Sequence, residues 1–198
     1  MANISGTGGA NTIDVTNDNG TLDGVAVGTP IEDITARGGA DTITITDSTV
    51  TGIVKGNAGD DTITVTHSTL SANLLAGNND DTVNVRASNL TNIRMGNGND
   101  TLNFLSTTVS GNIRGNAGID TLNLPVGTVV NDNTAGTFTV TSGGSYSLSS
   151  GSFTLPSGIN VNYQSFENGT GFPCFTQDTQ IMTPQGARRV QDLKVGDQ

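Results

Sequence analysis

One phrase recurs through the first two-thirds of this chain. It reads GTGGANTID from Gly6, GGADTIT from Gly38, GNAGDDTIT from Gly56, GNNDDTVN from Gly77, GNGNDTLN from Gly96 and GNAGIDTLN from Gly115. Its aspartates, Asp41, Asp61, Asp81, Asp100 and Asp120, fall 20, 20, 19 and 20 residues apart. A fixed period of this length marks a solenoid, in which each repeat is one coil and equivalent residues stack in columns. Stacking poses a physical problem. Carboxylates one inter-strand spacing apart, about 4.8 Å, repel by roughly 1 kcal/mol per pair even in water.

Each repeat holds two short strands. Thr62-Ile63-Thr64-Val65-Thr66 alternates strictly, as a half-buried strand does, with Ile63 and Val65 inward. Ile43 and Ile45, Val83 and Val85, Leu102 and Phe104, and Leu122 and Leu124 take the same places. A second polar turn follows (DSTVTG, HSTLSA, ASNLTN, STTVSG), and Val50, Leu70, Leu90 and Val109 form a further inward column. The glycine-rich phrase then turns the chain into the next coil through positive φ, which costs glycine little. Two strands and two turns in about 20 residues predict an all-β, parallel, two-sheet β-solenoid over residues 1–124. Between Gly6 and Asp41 the pattern predicts one imperfect coil around Asn11 and a loop near Thr29-Pro30. From Pro125 the register breaks, and Phe138, Tyr146, Phe153, Tyr163 and Phe166 collect. Residues 125–171 therefore read as a β cap over an open solenoid end. Residues 172–198 form a charged segment unlike the repeats.

Composition agrees with a thin coil. Hydrophobic residues make up 33% of the chain, with 27 Gly and no Trp, too few for a dense globular core. The net charge is −10, and the eight Lys and Arg are scattered along the sequence. Nucleic acid and anionic membranes are therefore poor partners, and a multivalent cation a better one. A single cysteine, Cys174, excludes an internal disulfide framework. No apolar run approaches the ~18 residues that span a bilayer. The opening MANISGTGGA has neither basic region nor apolar stretch, so secretion, if it occurs, proceeds without an N-terminal signal peptide.

The phrase GNAGDDTIT resembles the nonapeptide G-G-x-G-x-D-x-U-x of calcium-binding RTX proteins. Gly56, Gly59, Asp61 and Ile63 fill the defining positions, with Asn57 in place of the second glycine; Gly115, Gly118, Asp120 and Leu122 fill them again. Gly77 to Asp81 and Gly96 to Asp100 read as one residue short, and Gly38 to Asp41 as two short. The resemblance implies an RTX-like β-roll with one column of Ca2+ ions along the single glycine-rich edge. It implies ligation by Asp41, Asp61, Asp80, Asp81, Asp100 and Asp120, and by the turns of Gly56, Asn57, Gly59, Gly77, Gly96, Gly115 and Gly118. Oxygen-only ligation suits a hard cation and would couple folding to calcium. In the competing reading these residues only make Asx-type turns. Solvent then screens the charge, and Arg37, Lys55, Arg94 and Arg114, each just before a turn, neutralise part of it.

Two further resemblances bear on function. Thr42, Thr44, Thr46, Thr62, Thr64 and Thr66 make outward rows similar to ice-binding faces. The array decays to Thr82-Asn84-Arg86 and Thr101-Asn103-Leu105, which favours threonine as an ordinary exposed strand residue. The segment from Cys174 resembles the opening of a Hint domain, the self-processing module of Hedgehog proteins and inteins. The matching residues are Cys174, Thr179-x-Ile181, Thr183-Pro184-Gln185-Gly186 and Val190-x-Asp192-Leu193-x-Val195-Gly196-Asp197. By that resemblance Cys174 attacks the Pro173 carbonyl to form a thioester, a step needing a base and an oxyanion site. The one histidine, His67, sits in a solenoid turn and reads as a surface residue. Some 25 residues do not build a Hint core. The expectation for these 198 residues is a non-enzymatic, calcium-binding extracellular scaffold or adhesin-type protein, from a Hint-bearing precursor, with an unspecified cell-surface or carbohydrate ligand. Self-cleavage before Cys174 in a longer parent is the alternative, and ice binding a third.

Overall fold

The computed structural model describes residues 2–172, 180–183 and 186–189. These are all β, and two parallel-stacked sheets form a solenoid of about four regular turns with roughly 20 residues per coil. Sheet A is built from Ala2–Ser5, Ile31–Gly38, Val54–Ala58, Thr69–Asn78, Asn89–Asn97, Asn112–Ala117 and Asn160–Gln164. Sheet B is built from Thr12–Thr16, Thr42–Thr46, Thr62–Thr66, Thr82–Arg86, Thr101–Leu105, Thr121–Pro125 and Asn168–Phe172. The period of the sequence is the register of the sheets: Thr42, Thr62, Thr82, Thr101 and Thr121 are successive partners.

Alternation decides what is buried. Ile43, Ile45, Ile63, Val65, Val83, Leu102 and Phe104 are inaccessible, as the strand pattern requires. Val50, Leu70, Leu90 and Val109 form the expected second column, and Ile34, Val54, Leu74, Ile93 and Ile113 form a further buried column on the same sheet A. Apolar side chains thus meet in a core only two strands wide, so little hydrophobic surface suffices to close it. On the outer side of sheet B, Thr12 extends the threonine row to six residues. The next row changes to Asn84, Asn103 and Asn123, whose amides hydrogen-bond along the stack at 2.7 Å. Arg86 and Leu105 interrupt the third row.

Both ends are closed. At the N-terminal end the strand pair Asn19–Leu22 and Val25–Gly28 folds antiparallel onto Thr12–Thr16, and Thr29-Pro30 lies in the turn that follows. Past Pro125, the strands Val129–Asp132, Gly136–Thr139, Ser145–Ser147 and Ser150–Thr154 run antiparallel. Asn160–Gln164 and Asn168–Phe172 then return parallel to Asn112–Ala117 and Thr121–Pro125. The region that reads as a cap therefore contains one more coil, displaced by a 47-residue step along the chain between Asp120 and its successor, Glu167.

Aromatic rings close this end. Phe104 meets Phe153 edge-on at 5.3 Å, and Phe153 lies 6.1 Å from Tyr163. Buried Asp132 ties the excursion to the final coil, accepting hydrogen bonds from Tyr163 Oη at 2.6 Å and from the N–H groups of Thr134, Ala135 and Ser149. Burial alone would raise the Asp132 carboxyl, but these donors outweigh it and hold the group well below the usual carboxylate range. No helix in the described residues is long and apolar enough to cross a membrane. In the C-terminal segment, Gln180–Thr183 and Gly186–Arg189 pair antiparallel. Cys174 lies outside the described residues.

Candidate metal centre on the aspartate edge

Each coil crosses from sheet A to sheet B through the glycine-rich turn, and every such turn has the same backbone shape. Two left-handed residues, two positions apart, precede the aspartate: Arg37 and Gly39, Asn57 and Gly59, Gly77 and Asn79, Gly96 and Gly98, Asn116 and Gly118. Gly77 pairs with Asn57, and Gly96 with Gly77. The turns that read as shortened are therefore full length. Aligning the sequence on glycine misplaces them, because the fold aligns residues by backbone conformation. The first motif position is held in turn by Ala36, Gly56, Ala76, Met95 and Gly115.

The turn buries its aspartate. Asp41, Asp61, Asp81, Asp100 and Asp120 are each 0–2% exposed and form one internal column. One oxygen of each is used identically. Oδ1 of Asp61 accepts the Asp41 N–H at 2.8 Å, Asp81 that of Asp61 at 2.8 Å, Asp100 that of Asp81 at 2.8 Å, and Asp120 that of Asp100 at 2.9 Å. The ladder continues at both ends: Asp41 accepts the Asn11 N–H, and Glu167 accepts the Asp120 N–H at 2.8 Å. Asn11 was legible as an imperfect repeat. Glu167 was not, since the excursion hides its spacing; only the Asn-Gly-Thr that follows it hints at a coil.

The other oxygen has no partner. Oδ2 of all five aspartates is buried without a hydrogen bond. A Cβ on Gly56 would overlap Asp61 Oδ2 and the Ala76 carbonyl oxygen, and one on Gly115 would overlap Asp120 Oδ2. At these two coils glycine leaves room for the carboxylate, while Asp41, Asp81 and Asp100 are equally buried beside Ala36, Ala76 and Met95. Solvent screening does not describe such groups. Desolvation raises all five pKa values, against the pull of the backbone N–H bonds, and neighbouring acidic groups add to the rise. Asp61 and Asp100 are pushed up to about 6 and Asp81 to about 8. Arg37, Lys55, Arg94 and Arg114 form no ion pair with them: among the described residues the one ion-pair contact joins His67 Nδ1 to Asp47 Oδ1 at 3.6 Å. His67 is exposed, as expected of a turn residue.

The candidate donors on this edge are oxygens. The five free oxygens belong to carboxylates. Backbone carbonyls of Gly39, Asn57, Gly77, Asn79 and Gly98 point at the next coil's glycine, where a Cβ would strike them. Among the described residues no three His, Cys, Asp or Glu side chains are grouped so as to hold a metal ion by themselves. Asp80, also expected as a ligand, instead stands exposed on the outer turn and accepts the Asn99 N–H at 2.7 Å. Asn57 presents a buried Nδ2 without a partner, a donor unsuited to a cation, and its carbonyl faces Gly77 of the next coil.

The opposite edge differs. Its turns place Asp47, His67, Ala87 and Ser106 in the left-handed region, each followed at once by a buried hydroxyl residue: Ser48, Ser68, Ser88 and Thr107. Ser68 Oγ accepts the Ser48 N–H, and Ser88 Oγ the Ser68 N–H, both at 3.1 Å. Each hydroxyl donates in turn to the carbonyl two residues before it, at 2.6–2.9 Å. The sequence marked this edge as a polar turn; its spacing of 20, 20 and 19 residues carried the ladder signal. No family model, curated protein or solved structure matches this chain. Its likeness to RTX repeats accordingly rests on the turn residues themselves.

Proposed function

We propose that this chain is a calcium-stabilised β-solenoid scaffold whose aspartate edge binds Ca2+ between coils, in the manner of an extracellular repeat protein. The observation that carries the reading is the row of five buried carboxylate oxygens without partners. Buried charge without compensation costs several kcal/mol per group, and a bound divalent cation removes that cost by neutralising adjacent coils together. Asp41, Asp61, Asp81, Asp100 and Asp120 would supply the carboxylates, and the turn carbonyls the remaining ligands. The serine edge supports the same reading: a neutral hydroxyl satisfies the backbone there, so carboxylates are not needed for stacking alone.

Circular dichroism and thermal melting in a calcium titration, followed by chelation, test the proposal. Calcium should raise the melting temperature in proportion to log concentration above its dissociation constant, and a chelator should reverse the shift. Melting unchanged by both would end the calcium reading and leave a scaffold neutralised by protons.

A further inference from the structure

Read along the chain, the cations are scattered; stacking collects them. Lys55, Leu75, Arg94 and Arg114 lie side by side in register on the outer face of sheet A. Arg37 stands on the adjoining row, paired with Asn57. All four cations are exposed or half-buried, and none has a carboxylate within 4.0 Å among the described residues. In a chain of net charge −10 this is a line of uncompensated positive charge running along the solenoid axis.

A second, independent feature adjoins it. An open cleft of about 270 Å³ is lined by Lys55, Asn57, Ala58, Leu75, Gly77 and Asn78. Asn57 Nδ2 is the one buried side-chain nitrogen among the described residues that lacks an acceptor. The cleft therefore brings together the Lys55 cation and Asn57, whose Nδ2 has no accessible surface of its own and donates to a ligand only after the side chain turns outward. The group complementary to both is an anionic oxygen.

We propose that this face binds a linear acidic polysaccharide along the solenoid axis. One acidic group occupies the Lys55–Asn57 cleft and others lie on Arg94 and Arg114. Arg94 and Arg114 stand on adjacent strands, about 4.8 Å apart, and Lys55 two strands from Arg94 across Leu75, a line that suits a thread better than a plane. A bilayer surface or duplex would bring its dense negative charge against Glu32 and Asp33, on the strand of Arg37, and against exposed Asp60 and Asp80 on the adjoining turns. Single-stranded nucleic acid gains much of its affinity by stacking on aromatic rings. The row Thr35, Lys55, Leu75, Arg94, Arg114 and Gln164 contains none. Leu75, set between two cations, matches instead a polymer that alternates charged groups with C–H faces.

The test is titration calorimetry of the full chain with a polyuronate, a sulfated polysaccharide, a neutral glucan, single-stranded DNA and phosphatidylserine vesicles. Each is run in calcium and in chelator, so that loss of calcium binding and loss of this site are separable. The proposal expects binding to one or both acidic polysaccharides, weakened tenfold or more between about 50 and about 200 mM salt. Preference between the two arms identifies carboxylate or sulfate as the recognised group. Arg94→Glu with Arg114→Glu, or the milder Arg94→Gln with Arg114→Gln, should lower affinity roughly tenfold or more with the β spectrum retained. Arg86→Glu on sheet B should change nothing. The idea is overturned if neither acidic polysaccharide binds at low salt, if the glucan binds equally, if DNA or vesicles bind more tightly, or if the reversal variants bind like the parent.

Discussion

The two edges of the solenoid solve the same problem with different side chains. At each turn a backbone N–H points along the stack and needs an acceptor from the next coil. On one edge the acceptor is a serine hydroxyl, which also donates to a nearby carbonyl and so leaves nothing over. On the other it is an aspartate, whose Oδ1 does the same work and whose Oδ2 is left buried and unpaired. If stacking were the only requirement, serine would suffice on both edges. The surplus oxygen, once per coil, sets the aspartate edge apart, and under the calcium proposal it is the atom that a cation would neutralise.

The backbone differs as well. The serine edge uses φ near 47–48° at Asp47, His67, Ala87 and Ser106, a region that residues with a Cβ enter at moderate cost. The aspartate edge uses φ of 118° at Gly59 and 138° at Gly98 and Gly118. There a Cβ would overlap the carbonyl of the preceding coil. The largest expected effect follows. Gly118→Ala should destabilise the fold by about 3 kcal/mol or more, because strain and overlap act together. Denaturant unfolding that shows it nearly neutral would mean the two edges are not distinct in backbone terms.

Next in size is the pair Asp81→Ala and Asp81→Asn. Alanine strands the buried Asp61 N–H and should cost about 2 kcal/mol by denaturant titration. Asparagine keeps an acceptor oxygen and removes the buried charge. In chelator it should therefore be neutral or stabilising, whereas in calcium it should lose part of the ion-dependent gain. An Asp81→Asn variant as damaged as Asp81→Ala in chelator would show that the surplus charge has no cost.

The same edge sets a pH dependence of definite sign. The folded carboxyls of Asp61, Asp81 and Asp100 titrate higher than in the unfolded chain, whose value is near 3.8. At these groups the folded state binds more protons, so their contribution to stability in chelator is complete below about pH 4 and is lost as pH rises through about 6 to 8, while Asp132, held low, acts in the opposite sense and loses its contribution as pH falls below about 4. Calcium needs the ionised groups, so saturating calcium should flatten or invert that slope. Melting curves across this range in the two conditions check it. Parallel curves would contradict the reading of the aspartate edge as a cation site.

The serine edge should give the smallest responses. Ser88→Ala should cost about 1 kcal/mol, with no dependence on calcium. Ala87→Gly should stabilise by no more than about 1 kcal/mol, because relief at positive φ is offset by glycine's entropy. A calcium-dependent Ser88→Ala would erase the contrast between the edges.

Much of this was legible in the chain. Strict alternation in residues such as Ile63 and Val65 determined which side chains are buried, because period two sends neighbours to opposite faces of a sheet. The 20-residue spacing determined that Asp41 through Asp120 share a column, because coils of equal length stack in register. Three things were decided only by tertiary structure. Turn register follows φ, not residue identity, so Gly77 aligns with Asn57 and the apparent shortening vanishes. The column ends on Glu167, which an antiparallel excursion carries 47 residues from Asp120. Finally, burial separates carboxylates that look alike: Asp81 is sealed inside with a free oxygen while its neighbour Asp80 faces water. Spacing brings residues to one edge, but only the path of the backbone around each side chain determines which oxygens lose water, and with it their need for a counter-charge.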